Sequence, residues 1–211
     1  MIAPRDLLRA AVLIVCAASL AGCISLLPKT KPSQLYRFEG ATAATGLPAA
    51  PPVAGVALFR TPSSFQRAAS GDRILTLTGG QAAYIADARW MSPAVVLFDE
   101  ALMRAFDANP GPARLVARGE PARTQYALRL DVRDFYANYD QGPQAPPSVV
   151  VRVRVSLLRS ADQIQVGEQV LEARIRASDN RVGAIVAAFD EAVRTVLVQL
   201  IDFSNRLGAS A

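Results

Sequence analysis

Hydrophobic and polar positions alternate with a period of two through most of the second half of the chain. Tyr126, Leu128, Leu130 and Val132 alternate with Arg129, Asp131 and Arg133. Val149, Val151, Val153, Val155 and Leu157 are interleaved with Arg152, Arg154 and Ser156, and Leu171, Ala173 and Ile175 with Glu172, Arg174 and Arg176. Such alternation predicts half-buried strands with one apolar and one charged face. The phase breaks at Asp134-Phe135, which predicts a bulge, and an earlier phase set by Ile164 and Val166 precedes the third strand. The simplest arrangement is three consecutive antiparallel neighbours. After them the period changes to that of a helix. Val182, Ile185, Val186, Phe189, Val193, Val196, Leu197 and Leu200 form one continuous apolar stripe, with Ser178, Asp179 or Asn180 available to cap it. Asp190 and Arg194 fall on the wet side of that helix, spaced for an i,i+4 pair.

The first half is more broken. Gln34 to Glu39 and Val53 to Phe59 read as strands, separated by an Ala/Thr/Pro linker over 40–52 that has no core pattern. Phe65 to Ala69 reads as one helical turn. Arg73 to Thr78 and Gln81 to Ala88 flank Gly79-Gly80, a two-residue hairpin signal. That glycine pair lacks the lysine and helix start of a phosphate-binding loop. Ser92 is placed to cap a helix that has Pro93 at its first position and Val95, Phe98, Leu102, Ala105 and Phe106 at helical spacing. Asn109-Pro110-Gly111 stops it, and Ala113 to Ala117 is a further short strand. The expected fold is α+β: a mostly antiparallel sheet with the long C-terminal amphipathic helix and the second helix packed on one of its faces.

The start of the chain follows different rules. Arg5 and Arg9 precede an apolar run from Ala10 to Leu20, interrupted only by Ser19. The run is too short to span a bilayer, which takes about 20 residues. Its end, Leu20-Ala21-Gly22-Cys23, resembles the lipobox of bacterial lipoproteins. That resemblance implies cleavage between Gly22 and Cys23, a diacylglycerol on the Cys23 sulfur and acylation (palmitate) of the new N-terminus. The expected organisation is a signal peptide over 1–22, a lipidated tether over 23–33 with Pro28, Pro32, Lys29 and Lys31, and a periplasmic domain over 34–211. By the sorting rule of such lipoproteins, Ile24 in place of Asp implies the periplasmic face of the outer membrane, with the inner membrane as the alternative.

Composition narrows the chemistry. The two cysteines are Cys16, in the leader, and Cys23, so the mature domain has no thiol; the chain has no histidine at all. Histidine-based triads and histidine-ligated metals are excluded, and no Gly-x-Ser-x-Gly elbow is present. Asp99-Glu100 and Asp190-Glu191 are neighbours on helices, about 100° apart around the axis, and cannot flank one bond. No catalytic, cofactor-binding or metal-binding residue is expected. The net charge of +5 includes two arginines and one aspartate of the leader, leaving 21 minus 17, or +4, for the mature part. Without a basic run or aromatics interleaved with basic residues, nucleic acid is not an expected partner.

Leu35-Tyr36, Arg73-Ile74 before a hairpin, Ala88-Arg89-Trp90 with Pro93, Tyr126-Ala127-Leu128 leading to Asp134-Phe135, valine-rich strands and a long Ala/Val helix follow the lipobox in order. That succession resembles the ABC-type transport auxiliary lipoproteins, although Asp202-Phe203 stands where that family has a Trp-Ile pair. The resemblance implies a non-catalytic outer-membrane partner of paraquat-inducible and mammalian-cell-entry (MCE) lipid transport systems. It implies docking on a periplasmic MCE-domain protein, association with an ABC permease and ATPase, and a ring of subunits. The competing reading is an assembly or activator lipoprotein for a peptidoglycan synthase or an outer-membrane β-barrel. Candidate partner contacts are Trp90, at a strand-to-helix corner where a core role is also open, and the outward arginines Arg129, Arg152, Arg154 and Arg174. For these arginines the alternative is cross-strand pairing with Asp131 and Glu172. Metabolic palmitate should label the wild-type protein, whereas a Cys23→Ser protein should be unlabelled and should leave the envelope fraction.

Overall fold

The alternating strands leave an apolar sheet face that only another apolar surface can cover, and the C-terminal helix is long enough to cover it. The structure, a computed structural model, describes residues 32–40, 55–109, 111–116 and 123–208. The leader, Gly22, Cys23, the tether as far as Lys31, residues 41–52 of the linker and the predicted strand residues Val53, Ala54 and Ala117 lie outside the described residues. The chain divides into two units, 1–32 and 33–211, and the elements below belong to the second. In chain order they are β1 Gln34–Tyr36, β2 Val56–Arg60, β3 Ser64–Phe65, β4 Arg73–Thr78, β5 Gln81–Trp90, α1 Ala94–Asp107, β6 Ala113–Val116, β7 Tyr126–Asn138, β8 Ser148–Arg159, β9 Gln165–Arg176 and α2 Val182–Gly208.

The fold is α+β, with nine strands in one sheet among the described residues. The long ladders β7–β8, β8–β9 and β4–β5 are antiparallel, as the alternation predicts. The shorter strands attach in parallel: β1 to β5, β4, β3 and β2 to β7, and β6 to β2. No local pattern signals these parallel pairings, because each depends on a long excursion of the chain. Arg133 is the extra residue of a bulge, where the β7–β8 register shifts between Val132 and Asp134. A second shift between Leu157 and Leu158 absorbs the change of phase around Val166 in β9.

Both helices present their apolar stripes to the sheet. Phe189, Val193, Val196 and Leu200 of α2 and Phe98, Ala101 and Leu102 of α1 are fully buried with Leu128, Leu130, Val132, Val153 and Val155. At the centre Trp90 stands edge-on to Phe38 (centroids 5.1 Å apart) and to Phe189 (5.3 Å). Phe135 lies 4.9 Å from Phe189 and 5.4 Å from Phe38. Edge-to-face pairs at this separation contribute about 0.5–1.5 kcal/mol each beyond the area they bury.

Three local expectations are corrected. The first strand ends at Tyr36 rather than Glu39, because the chain leaves the sheet to drop Phe38 into the aromatic cluster. Phe65 belongs to the short strand β3 paired to Val132, and the turn follows it at 67–69. Ser92 does not cap α1: Pro93 is the N-cap residue, with no side-chain cap bond. The first helical N–H groups are taken instead by main-chain carbonyls, Ala94 to Gly71 (2.9 Å) and Val95 to Ser70 (3.4 Å). A serine there has nothing left to satisfy.

Asp190 does more than pair with Arg194 (2.8 Å) on the wet side of α2. One of its carboxylate oxygens accepts the N–H groups of Glu39 (2.7 Å) and Gly40 (2.9 Å), which ties the N-terminal arm across the helix. Gly40 has φ 64°, and a Cβ there would stand 2.5 Å from Val193 Cγ1. Backbone strain and overpacking then act together, so Gly40→Ala should cost ~2–4 kcal/mol, read as a lower denaturant midpoint.

Candidate functional site

With one sheet face covered by helices, the other carries the polar half of the alternation. Its rows follow from the register. Arg129 of β7 lies opposite Ser156 of β8 and then Glu168 of β9; Asp131 is followed by Arg154 and Val170; Asp134 by Arg152 and Glu172; Tyr136 by Val150 and Arg174. The bulge at Arg133 makes this possible, because it returns Asp134 and Tyr136 to the face that Arg129 and Asp131 already occupy.

The charges on this face pair across the strands, within β7 and to the following loop. Arg152 bridges Asp134 and Glu172, both at 2.9 Å. Arg154 meets Glu168 at 2.6 Å, Arg133 meets Asp131 at 2.9 Å, and Arg176 meets Asp140 at 3.0 Å. Individually such wet pairs, screened by solvent, contribute little to stability; as a lattice they fix where charge remains uncompensated. Arg129 and Arg174 have no hydrogen-bond or ion-pair partner among the described residues. Burial raises the Tyr136 hydroxyl's pKa above its ordinary value, and Asp134 adds to the effect while Arg152 and Arg174 oppose it.

The structure therefore divides the predicted contact residues. Trp90 is 2% exposed and sits at the centre of the aromatic core, so it offers no surface to a partner. Arg129, Arg152, Arg154 and Arg174 share the outer face, two of them held by carboxylates and two unpaired. The loop over 140–147 is clamped at both ends. Arg176 donates to the Pro146 carbonyl at 2.8 Å as well as to Asp140, and Asn180 joins the Tyr139 hydroxyl (2.9 Å) to the Pro143 carbonyl (3.1 Å).

Beside Arg129 the face is indented. An open groove of ≈ 450 Å³ is lined by Thr61, Ser64, Arg129, Arg154, Ser156 and Gln165, with Leu130 and Asp131 also at its wall. Thr61 and Ser64 reach it because the segment after β2 runs along β7: the Thr61 N–H and hydroxyl both bond to the Leu128 carbonyl, and Ser64 pairs with Asp131. Sequence reading found the two arginines but missed the hydroxyls. Their only signal, Thr61-Pro62-Ser63-Ser64, is that of an ordinary turn.

Two carboxylates on this face are held below their ordinary range. For Glu168 the main cause is the hydrogen bond from Arg154. For Asp140, burial works the other way but is outweighed by hydrogen bonds from Arg176 and Ser148. A folded-state value below the unfolded one means stability that is present above pH 4.5 for Glu168 and 3.8 for Asp140. It is lost as the pH falls through the lowered folded values, because the unfolded chain binds the protons first. Denaturation between pH 5 and 2 should therefore show a shallower acid limb for Glu168→Gln/Asp140→Asn than for wild type.

Similarities to known proteins bear on fold and family. The crystal structure of XCC0632 from Xanthomonas campestris, described under DUF330, superposes with a TM-score of 0.67 at 24% identity, covering 84% of this chain and 98% of that one. A second crystal structure, of an uncharacterized protein, reaches 0.61 at 12% identity and covers 82% and 98%. Both likenesses speak to the fold alone. No curated protein matches the chain. The family described as "ABC-type transport auxiliary lipoprotein component" matches residues 42–200, well over half of the sequence, and the chain belongs to that family.

Proposed function

We propose that the protein is a non-catalytic, lipid-anchored subunit of a trans-envelope lipid transport system of the MCE type, held on the periplasmic face of the outer membrane. The observation that carries this reading is the family match over 42–200, which describes an auxiliary lipoprotein of ABC-type transport. The lipobox ending in Cys23 supports the anchor, and Ile24 supports the outer membrane over the inner. A chain without histidine, and without a cysteine beyond Cys23 in its mature part, has no imidazole or free thiol for acid–base or nucleophilic chemistry. In this reading it acts by binding.

A single short acyl chain anchors reversibly, at ~0.8 kcal/mol per buried CH₂, whereas the several chains of a lipidated Cys23 hold stably. The tether from Ile24 to Ser33 reaches at most ~35 Å when extended. The domain therefore works within a domain's diameter of its membrane, at the height where the end of a periplasmic MCE assembly would arrive. A ring of subunits around that end is the assembly we favour, since several anchors then act together.

The test is a pull-down of tagged full-length lipoprotein from detergent-solubilised envelope. An MCE-domain protein, an ABC permease and an ATPase should co-purify. Recovery of a peptidoglycan synthase or an outer-membrane β-barrel in their place would overturn the transport reading in favour of an assembly factor.

A further inference from the structure

The outer face has a charge ledger that closes everywhere but at two positions. Asp131 is paired with Arg133, Asp134 and Glu172 with Arg152, Glu168 with Arg154, and Asp140 with Arg176. Every carboxylate among these rows is thus already held by an arginine, and Arg129 and Arg174 are left over. Their surroundings differ. Arg174 lies on the outermost strand in the row of Tyr136 and Val150, and is not among the residues that line the groove beside Arg129. Arg129 stands at the groove of ≈ 450 Å³, across from Ser156, which is 8% exposed and whose hydroxyl makes no hydrogen bond among the described residues. Ser64, which also lines the groove, has a hydroxyl without a partner among the described residues, while the Gln165 amide at the wall already donates to Glu168 (2.9 Å). A guanidinium without a counter-ion and two free hydroxyl donors converge on a cavity of ligand size. That is the donor set of an oxyanion site.

Exposed apolar groups lie on the same face outside the groove's own lining. Phe59 is 50% exposed, and its register through Ala127 and Leu158 to Gln165 puts it on that face at the groove's end of the sheet. Val170, in the row of Asp131 and Arg154, is 52% exposed. A cation with exposed apolar side chains on the same face suits a molecule with a charged head and a hydrocarbon portion.

We propose that this groove binds the phosphate ester of an anionic lipid headgroup, with Arg129 as the charge partner and Ser156 and Ser64 as hydroxyl donors. The proposal rests on the transport reading only for the ligand being a lipid; the oxyanion site itself stands on the geometry.

The experiment uses full-length lipoprotein in a nonionic detergent, titrated with dihexanoyl phosphatidylglycerol and separately with sn-glycerol 3-phosphate, and read by calorimetry. Wild type should bind, Arg129→Gln should bind at least ten-fold more weakly, and Arg174→Gln, which removes the same charge from the same face, should bind as wild type does. Tighter binding of the short-chain lipid supports the headgroup with its chains, and equal binding of glycerol phosphate supports the phosphate site while assigning it to a soluble ester. Equal losses in the two variants would mean a diffuse field and would overturn the site, as would no loss in either. Displacement of both phosphate probes by a polyglutamate peptide at lower concentration would assign the groove to an acidic protein and overturn the lipid. Co-purification keeps the two readings apart: wild type that recovers the transport components yet binds neither probe overturns the groove alone, and Arg129→Gln that recovers them while losing the probes supports it.

Discussion

Four aromatic rings from distant parts of the chain hold the fold in register. Phe38 comes from the arm after β1, Trp90 from the end of β5, Phe135 from the far side of the bulge in β7, and Phe189 from the middle of α2. Each is at most 2% exposed, so their mutual packing fixes where the arm, the hairpin, the sheet and the helix stand relative to one another. Interiors packed at crystal-like density do not deform gradually. The bulge, the Asp190 clamp on Glu39 and Gly40, and the early end of β1 can all be understood as local adjustments that bring these rings together.

That constraint decides what is left for contact with other molecules. The helices cover one sheet face with a continuous core, so the opposite face carries the arginines and carboxylates of the alternating strands. Cross-strand pairing neutralises most of them. The resulting lattice is balanced but not featureless: one arginine without an ion-pair partner among the described residues stands at a groove lined by hydroxyls and by Asp131, whose carboxylate Arg133 holds. Membership in an auxiliary lipoprotein family fits a molecule whose described surface is patterned in this way.

The strand alternation from Tyr126 onward, the stripe of α2 and the hairpin around Gly79 were legible in the sequence because each is set by neighbours within a few residues. Half-buried strands and amphipathic helices reveal themselves by period alone, and the bulge showed as a slip in that period. The sequence likewise dictated the absence of histidine and the confinement of its two cysteines to positions 16 and 23. Trp90 was ambiguous, since a tryptophan at a corner serves a core or an interface equally well and only the rings around it distinguish them.

The tertiary structure alone decided the rest. Parallel attachment of β1, β2, β3, β4 and β6 has no local signature, because the pairing partners lie far apart along the chain. The start of α1 was misread for the same reason: carbonyls of Ser70 and Gly71, twenty-odd residues upstream, do what Ser92 was expected to do. Which arginines are paired could not be read from spacing, since pairing depends on the register of three strands and two bulges. A sequence specifies the period of each element; the company each side chain keeps is settled only when the elements pack.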